Sequence, residues 1–169
     1  MLVLRCTRKL LKELGVTPSE SSEPTSVLGA WHANLLRIER RKCVLFTNDQ
    51  TLYSVFVPCL RKPQFEQIAD VFGQALFRSL RLTEFSQTQI ETILDNLDPL
   101  RSGRTNSRSV LGSMNDLAYQ LQWMIAALGG LGRCAIDVIN QQLNRIPMGT
   151  IKPHVYSVDA LQACLGEYL

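Results

Sequence analysis

The sequence predicts an α+β protein, with an antiparallel sheet of about four strands in residues 1–57 and helices packed on one face. Two observations lead there. Short apolar runs separated by polar turns fill residues 1–57, and the short connections between residues 28 and 57 imply an antiparallel meander. After Pro63 the apolar period shifts from two residues to about 3.6, and it stays helical to the C-terminus.

The elements follow in order. Met1 to Cys6 reads as a strand, and Thr7 as the N-cap of a helix over Arg8–Leu14 that stops at Gly15. Residues 16–27 are rich in Ser, Pro and Glu with nothing to bury, which predicts a mobile loop. Ala30–Ile38 is the next strand, Glu39-Arg-Arg-Lys42 a charged turn, Cys43–Phe46 a fully apolar strand, and Leu52–Val57 the last. Hairpin chemistry of the Asn-Gly kind is absent, so the register stays open. Phe65, Ile68, Ala69, Phe72, Leu76 and Leu80 then share one helical stripe. Ser86 with Gln89 makes a capping box for a helix carrying Ile90, Ile93, Leu94 and Leu97. Ser113 with Asp116 resembles a further cap, followed by Leu117, Leu121, Met124, Ile125 and Leu128 and a stop at Gly129-Gly130. A helix through Ala135, Ile136, Ile139 and Leu143 and a short one at Ser157–Leu165 complete the chain. Residues 1–169 read as one domain, with 133–169 as a C-terminal helical extension.

Composition bounds the function classes. At 169 residues, 46% hydrophobic and 20% charged, the chain has the makings of an ordinary globular core. The net charge of +3 is small, but its distribution is uneven. Residues 1–12 and 100–115 are basic without acids, whereas 84–98 carry Glu84, Glu91, Asp95 and Asp98 without a base. The five cysteines are scattered, with no CxxC and no histidine partner, so neither a disulfide framework nor a metal site is read. No secretory signal and no apolar run of about 18 residues is present, which predicts a cytoplasmic protein without a membrane partner. No cofactor motif occurs: GxSxG, HExxH, GxGxxG and the Walker A pattern are all missing.

Three strings carry a resemblance: Leu28 through Asn48, Thr51-Leu-Tyr-Ser54, and Asn106-Ser-Arg-Ser-Val-Leu-Gly-Ser-Met-Asn-Asp116. They resemble an uncharacterised family of bacterial proteins of unknown function, in which a terminal strand and a basic helix precede the same hairpin. The resemblance covers about residues 1–128 and implies no activity. The tail after Gly132 lies outside it.

Three clusters could carry chemistry. In Arg101–Asn115, the side chains of Arg104, Arg108, Asn106, Ser109, Ser113 and Asn115 suit an oxyanion at a helix N-terminus, and a solvated loop with Ser113 as a cap explains the same residues. On the strand, His32 and Asn34 share a face by alternation, so His32 could serve as an acid/base beside the arginines or simply be hydrogen-bonded in the structure. Arg40, Arg41 and Lys42 at a hairpin tip suit a nucleic-acid backbone or an ordinary solvated turn. Further basic residues stand at Arg8, Lys9, Lys12, Arg61 and Lys62. Aromatics, at 7%, offer no stacking platform for single strands.

The leading expectation is a small binding protein for an anionic partner, nucleic acid or a phosphate-bearing ligand, acting through the Arg/Ser/Asn loop. An enzyme on a phosphorylated or nucleotide substrate, with His32 as acid/base, is the first alternative. A protein-interaction or regulatory module of toxin–antitoxin or mobile-element type is the second. Oligomeric state is not legible.

Overall fold

A computed structural model of the chain describes residues 1–20 and 23–167; residues 21 and 22 of the segment read as a mobile loop, and 168 and 169 of the tail, lie outside the described residues. Five strands, β1 (Leu2–Cys6), β2 (Trp31–Ile38), β3 (Arg41–Asn48), β4 (Ser54–Val57) and β5 (Leu100–Arg104), form one sheet in the order β4-β3-β2-β1-β5. Seven helices accompany it among the described residues: α1 (Arg8–Leu14), α2 (Lys62–Glu66), α3 (Ile68–Arg81), α4 (Gln87–Leu94), α5 (Arg108–Ala127), α6 (Ile136–Leu143) and α7 (Ser157–Gly166). The α+β class stands.

The sheet corrects the sequence-based expectation in three respects. It is mixed, because β1 runs parallel to both β2 and β5 while β2, β3 and β4 form the antiparallel meander. Residues 7–30, with α1 inside them, make a crossover long enough to bring β2 back parallel to β1. It has a fifth strand, Leu100-Arg-Ser-Gly-Arg104, whose composition carries no strand signal. The open N–H and C=O groups on the outer edge of β1 recruit it. Finally, helices cover both faces. Cys43-Val-Leu-Phe46 is apolar on both sides because both sides are buried.

One core holds Leu2, Leu4, Trp31, Ala33, Leu35, Val44, Phe46 and Val55 under Leu10 of α1, Phe65 of α2, Phe72, Leu76 and Leu80 of α3, Ile90 and Ile93 of α4, and Leu161 and Leu165 of α7. The other holds Ile38, Cys43, Leu45 and Phe56 under Val110, Met114, Leu117, Leu121 and Ile125 of α5, with Ile139 and Leu143 of α6. Local signals explain the helix ends. Gly15 takes φ 65 after α1, Ser86 and Gln89 make the expected reciprocal cap on α4, and Gly129 and Gly130 take φ 94 and 95 beyond α5.

Helix α6 also closes a sheet edge. Asn140 accepts from Phe56 N–H at 2.7 Å and donates to Phe56 O at 3.1 Å. Asn144 repeats this on Ser54, at 2.7 and 2.8 Å. The match is geometric: residues i and i+4 of a helix rise about 6 Å, close to the repeat of alternate residues on a strand.

Candidate functional site

A polar row crosses the sheet on the α5 side. Gly103, Arg5, His32, Thr47 and Ser54 are successive cross-strand partners. His32 sits at its centre, 0% exposed, with Nδ1 2.6 Å from Asp49 Oδ1 in the turn after β3. The backbone N–H of Asn106 points at His32 Nε2 from 3.4 Å. Nε2 therefore accepts, and Nδ1 carries the proton toward Asp49. Asp49 Oδ2 also faces Arg5 Nε at 3.7 Å, too long for a hydrogen bond, so this buried Nε stays without a partner. Asn34 shares the face as alternation requires, and its Oδ1 accepts the Thr7 hydroxyl at the start of α1.

Beside this row lies a cleft of about 620 Å³ lined by Val3, Arg5, Glu20, Glu23, Arg104 and Asn106, among others. It lies beside the part of the sheet that α5 covers: α5 packs on β2 and β3, and residues of β1, of β5 and of the segment after α1 line the cleft. Ser19 fastens that loop through its N–H and hydroxyl, both donated to Ser102 O.

The basic run Arg101–Asn115 is three pieces rather than one loop. Residues 101–104 belong to β5, 105–107 turn the chain, and α5 begins at Arg108. The cap is Ser107, whose Oγ accepts from Val110 N–H, and not Ser113. Sequence reading placed the start too late because Ser113 with Asp116 mimics a cap one and a half turns inside the helix. Arg104 and Asn106 therefore line the cleft, and Arg108 and Ser109 stand exposed on the first turn. Asn115 is exposed further along α5, and Ser113 faces a second groove formed with Tyr119 and residues 146–150.

The third cluster lies at the other end of α5, which is about 30 Å long. Glu39 and Arg40 turn the β2–β3 hairpin with φ 50 and 64, the two left-handed residues of a tight two-residue loop, without glycine or asparagine. Glu39 Oε2 accepts the Leu131 N–H at 3.0 Å, just past α5. Gly130 lies so close that a Cβ there would sit 2.6 Å from Glu39 Oε1. Arg40 and Arg41 are left exposed at the tip. Lys42 is half-buried and paired with Glu13 of α1 at 2.6 Å, and its carbonyl accepts Leu60 N–H just before α2. Lys12, Arg37, Arg61 and Lys62, all exposed, thus join Arg40 and Arg41 at one end of the molecule. Of the nearby acids, Glu13 pairs with Lys42 and Glu39 accepts the Leu131 N–H, while Glu66 stands exposed one turn from Lys62 on α2.

Residues 3–160 match the model of a family described as a domain of unknown function, DUF6933. The chain belongs to this family. The DUF6933 match runs past Gly132 and takes in α6 and the start of α7, beyond the extent of the resemblance read from the sequence. No curated protein and no solved structure matches the chain.

Within this DUF6933 chain, four residues near the candidate sites were not read as site residues from the sequence. Asp49 lies in the turn after β3, and only the fold carries it to His32. Arg5 looked like one charge in an N-terminal basic segment, whereas the parallel register sets it beside His32. Tyr119 and Trp123 were legible, because they fall off the apolar stripe of α5 at i, i+4 spacing. They stand 61% and 63% exposed, with ring centroids 6.3 Å apart. Among the described residues no group of three His, Cys, Asp or Glu side chains is placed to hold a metal ion, and no helix is long and apolar enough to cross a membrane.

Proposed function

We propose that this protein binds a polyanion, nucleic acid in the first instance, through the basic end built by Lys12, Arg37, Arg40, Arg41, Arg61 and Lys62. The observation that supports this reading is the convergence of three sequence-distant elements on one end, where six exposed cations outnumber the three nearby acids Glu13, Glu39 and Glu66. Exposed guanidinium and ammonium groups on rigid elements suit phosphate contacts, which position a backbone without reading bases. Arg104 and Arg108, at the far end of α5, are too distant to share a small ligand with this cluster but within reach of an extended chain.

The acid/base reading of His32 draws less from the geometry. Its ring is fully buried with both nitrogens occupied, which suits a cross-strand strut tying β2 to the 105–107 turn.

The test is fluorescence anisotropy of labelled DNA and RNA over a range of salt. Exchanging Arg40 for Gly and Arg41 for Gln should weaken binding and lower the slope of log K against log salt by roughly 0.7–0.9 per lost phosphate contact. An unchanged slope would remove the basic end from the interface, and no binding by the native chain would end the reading.

A further inference from the structure

The exposed face of α5 links the two arginine clusters. It carries Arg108, Asn115, Asp116, Tyr119 and Trp123 in succession, and beyond its end lie Arg133, whose stem crosses Gly129, and the hairpin arginines. Asp116 is the acid on this face. Tyr119 and Trp123 are the two most exposed large hydrophobic side chains among the described residues. Their rings are inclined by 67° with centroids 6.3 Å apart, an edge-to-face pair on the exposed side of the helix. Neither ring contributes to the core that α5 builds with Val110, Met114, Leu117, Leu121 and Ile125.

We infer that Tyr119 and Trp123 form a base-stacking platform for a single-stranded nucleic acid whose phosphates are held by Arg108 at one end of α5 and by Arg40 and Arg41 at the other. The inference rests on the polyanion reading above and narrows it to single strands. It departs from the expectation drawn from aromatic content, because the fold sets two of the few aromatics side by side on one exposed helix face. Charge complementarity selects the occupant. A face with cations at both ends and bare aromatic rings between them matches a chain that alternates phosphates with flat π-systems. The bases of a duplex are stacked on one another and leave nothing for the rings to take.

The experiment compares an oligothymidylate of about 20 nucleotides with a duplex of the same length, binding to the full-length chain. Tyr119→Ala with Trp123→Ala, which removes two largely exposed side chains, should lower single-strand affinity about ten-fold or more for each lost stack while leaving the salt slope unchanged. Duplex affinity should not move. Trp123 emission should be quenched by the oligothymidylate in the Tyr119→Ala protein. Single-strand affinity within two-fold of native in the double variant, together with a clear loss in the Arg40/Arg41 variant, would overturn the platform and leave the polyanion reading standing. Failure of the native chain to bind either nucleic acid would overturn both. Displacement of the oligothymidylate by polyglutamate as readily as by nucleic acid would also overturn it, as would a native dimer that becomes monomeric in the aromatic variant.

Discussion

Asn140 satisfies both backbone groups of Phe56, accepting from its N–H and donating to its carbonyl from a helix. The edge strand β4 is thereby paired by side chains instead of by a neighbouring strand. Exposed strand edges invite pairing with other chains, and Asn140 with Asn144 covers this one. Asn140→Ala leaves two buried backbone groups unpaired and should cost about 2–4 kcal/mol in urea unfolding. Removal of residues 133–169 should expose the whole edge and produce aggregation, measurable by light scattering. A truncated chain that stays monomeric and folded would contradict this role.

The hairpin tip carries a stability cost at a site of proposed function. Arg40 holds φ 64, where a side chain is strained by about 1 kcal/mol and glycine is not. Arg40→Gly should therefore raise the unfolding midpoint while weakening binding of nucleic acid. Opposite signs in the two measurements would identify Arg40 as a residue held in place for contact. A destabilised variant would show that the guanidinium contributes to the fold.

Burial sets an alkaline limit. It pushes the Tyr53 phenol from its usual 10 up to about 12, against the opposing bond to Ser79, and lifts the Cys6 thiol from 9 to about 12. Both groups hold their protons more tightly in the native protein than in the unfolded chain. Their contribution is thus complete below pH 9 and is lost as pH climbs toward about 12. Denaturant midpoints should fall progressively over that window. In Tyr53→Phe the fall between pH 10 and about 12 should be shallower, because one of the two titrating groups is gone.

The cysteines should react in an order set by exposure. Cys6 and Cys43 are buried, and burial raises both thiols, so thiolate is scarce and inaccessible. Burial also raises Cys134 and Cys164, aided by Glu39 and Glu167 nearby. Alkylation of the native protein near neutral pH should label Cys59, Cys134 and Cys164 before Cys43 and leave Cys6 unmodified until denaturant is added, as mass spectrometry of the peptides would show. Early modification of Cys6 would mean that β1 opens locally.

The polar row gives a further check. His32→Leu keeps much of the volume but loses the bond to Asp49 and the acceptor for Asn106 N–H. A loss of about 1–3 kcal/mol is expected, with nucleic-acid affinity unchanged because the ring is out of reach of any ligand. Lost affinity at full stability would return His32 to the functional site.

Much of the architecture was legible where local chemistry decides it. Thr7 and Gly15 bracket α1, Ser86 and Gln89 start α4, and the stripe from Leu117 to Ile125 marks the buried side of α5. The alternation Trp31, Ala33, Leu35 against His32, Asn34 correctly divided β2 between its two faces. The site was less legible. The arginines of the 101–115 run looked like one cluster because they are close in sequence. A strand end and a helix start send Arg104 and Arg108 to different surroundings, while Lys12, Arg37, Arg40 and Arg61, far apart in sequence, share one end of the fold.

Period, caps and turn residues, all matters of a few neighbouring residues, determined by themselves most of the stretches that are strands and helices. Tertiary structure alone decided that β1 pairs in parallel on both sides, that Leu100–Arg104 is a strand, and that His32 meets Asp49 and Arg5. Those outcomes depend on which backbone edges remain open and which faces remain apolar once the other elements have packed. No local sequence window contains that information.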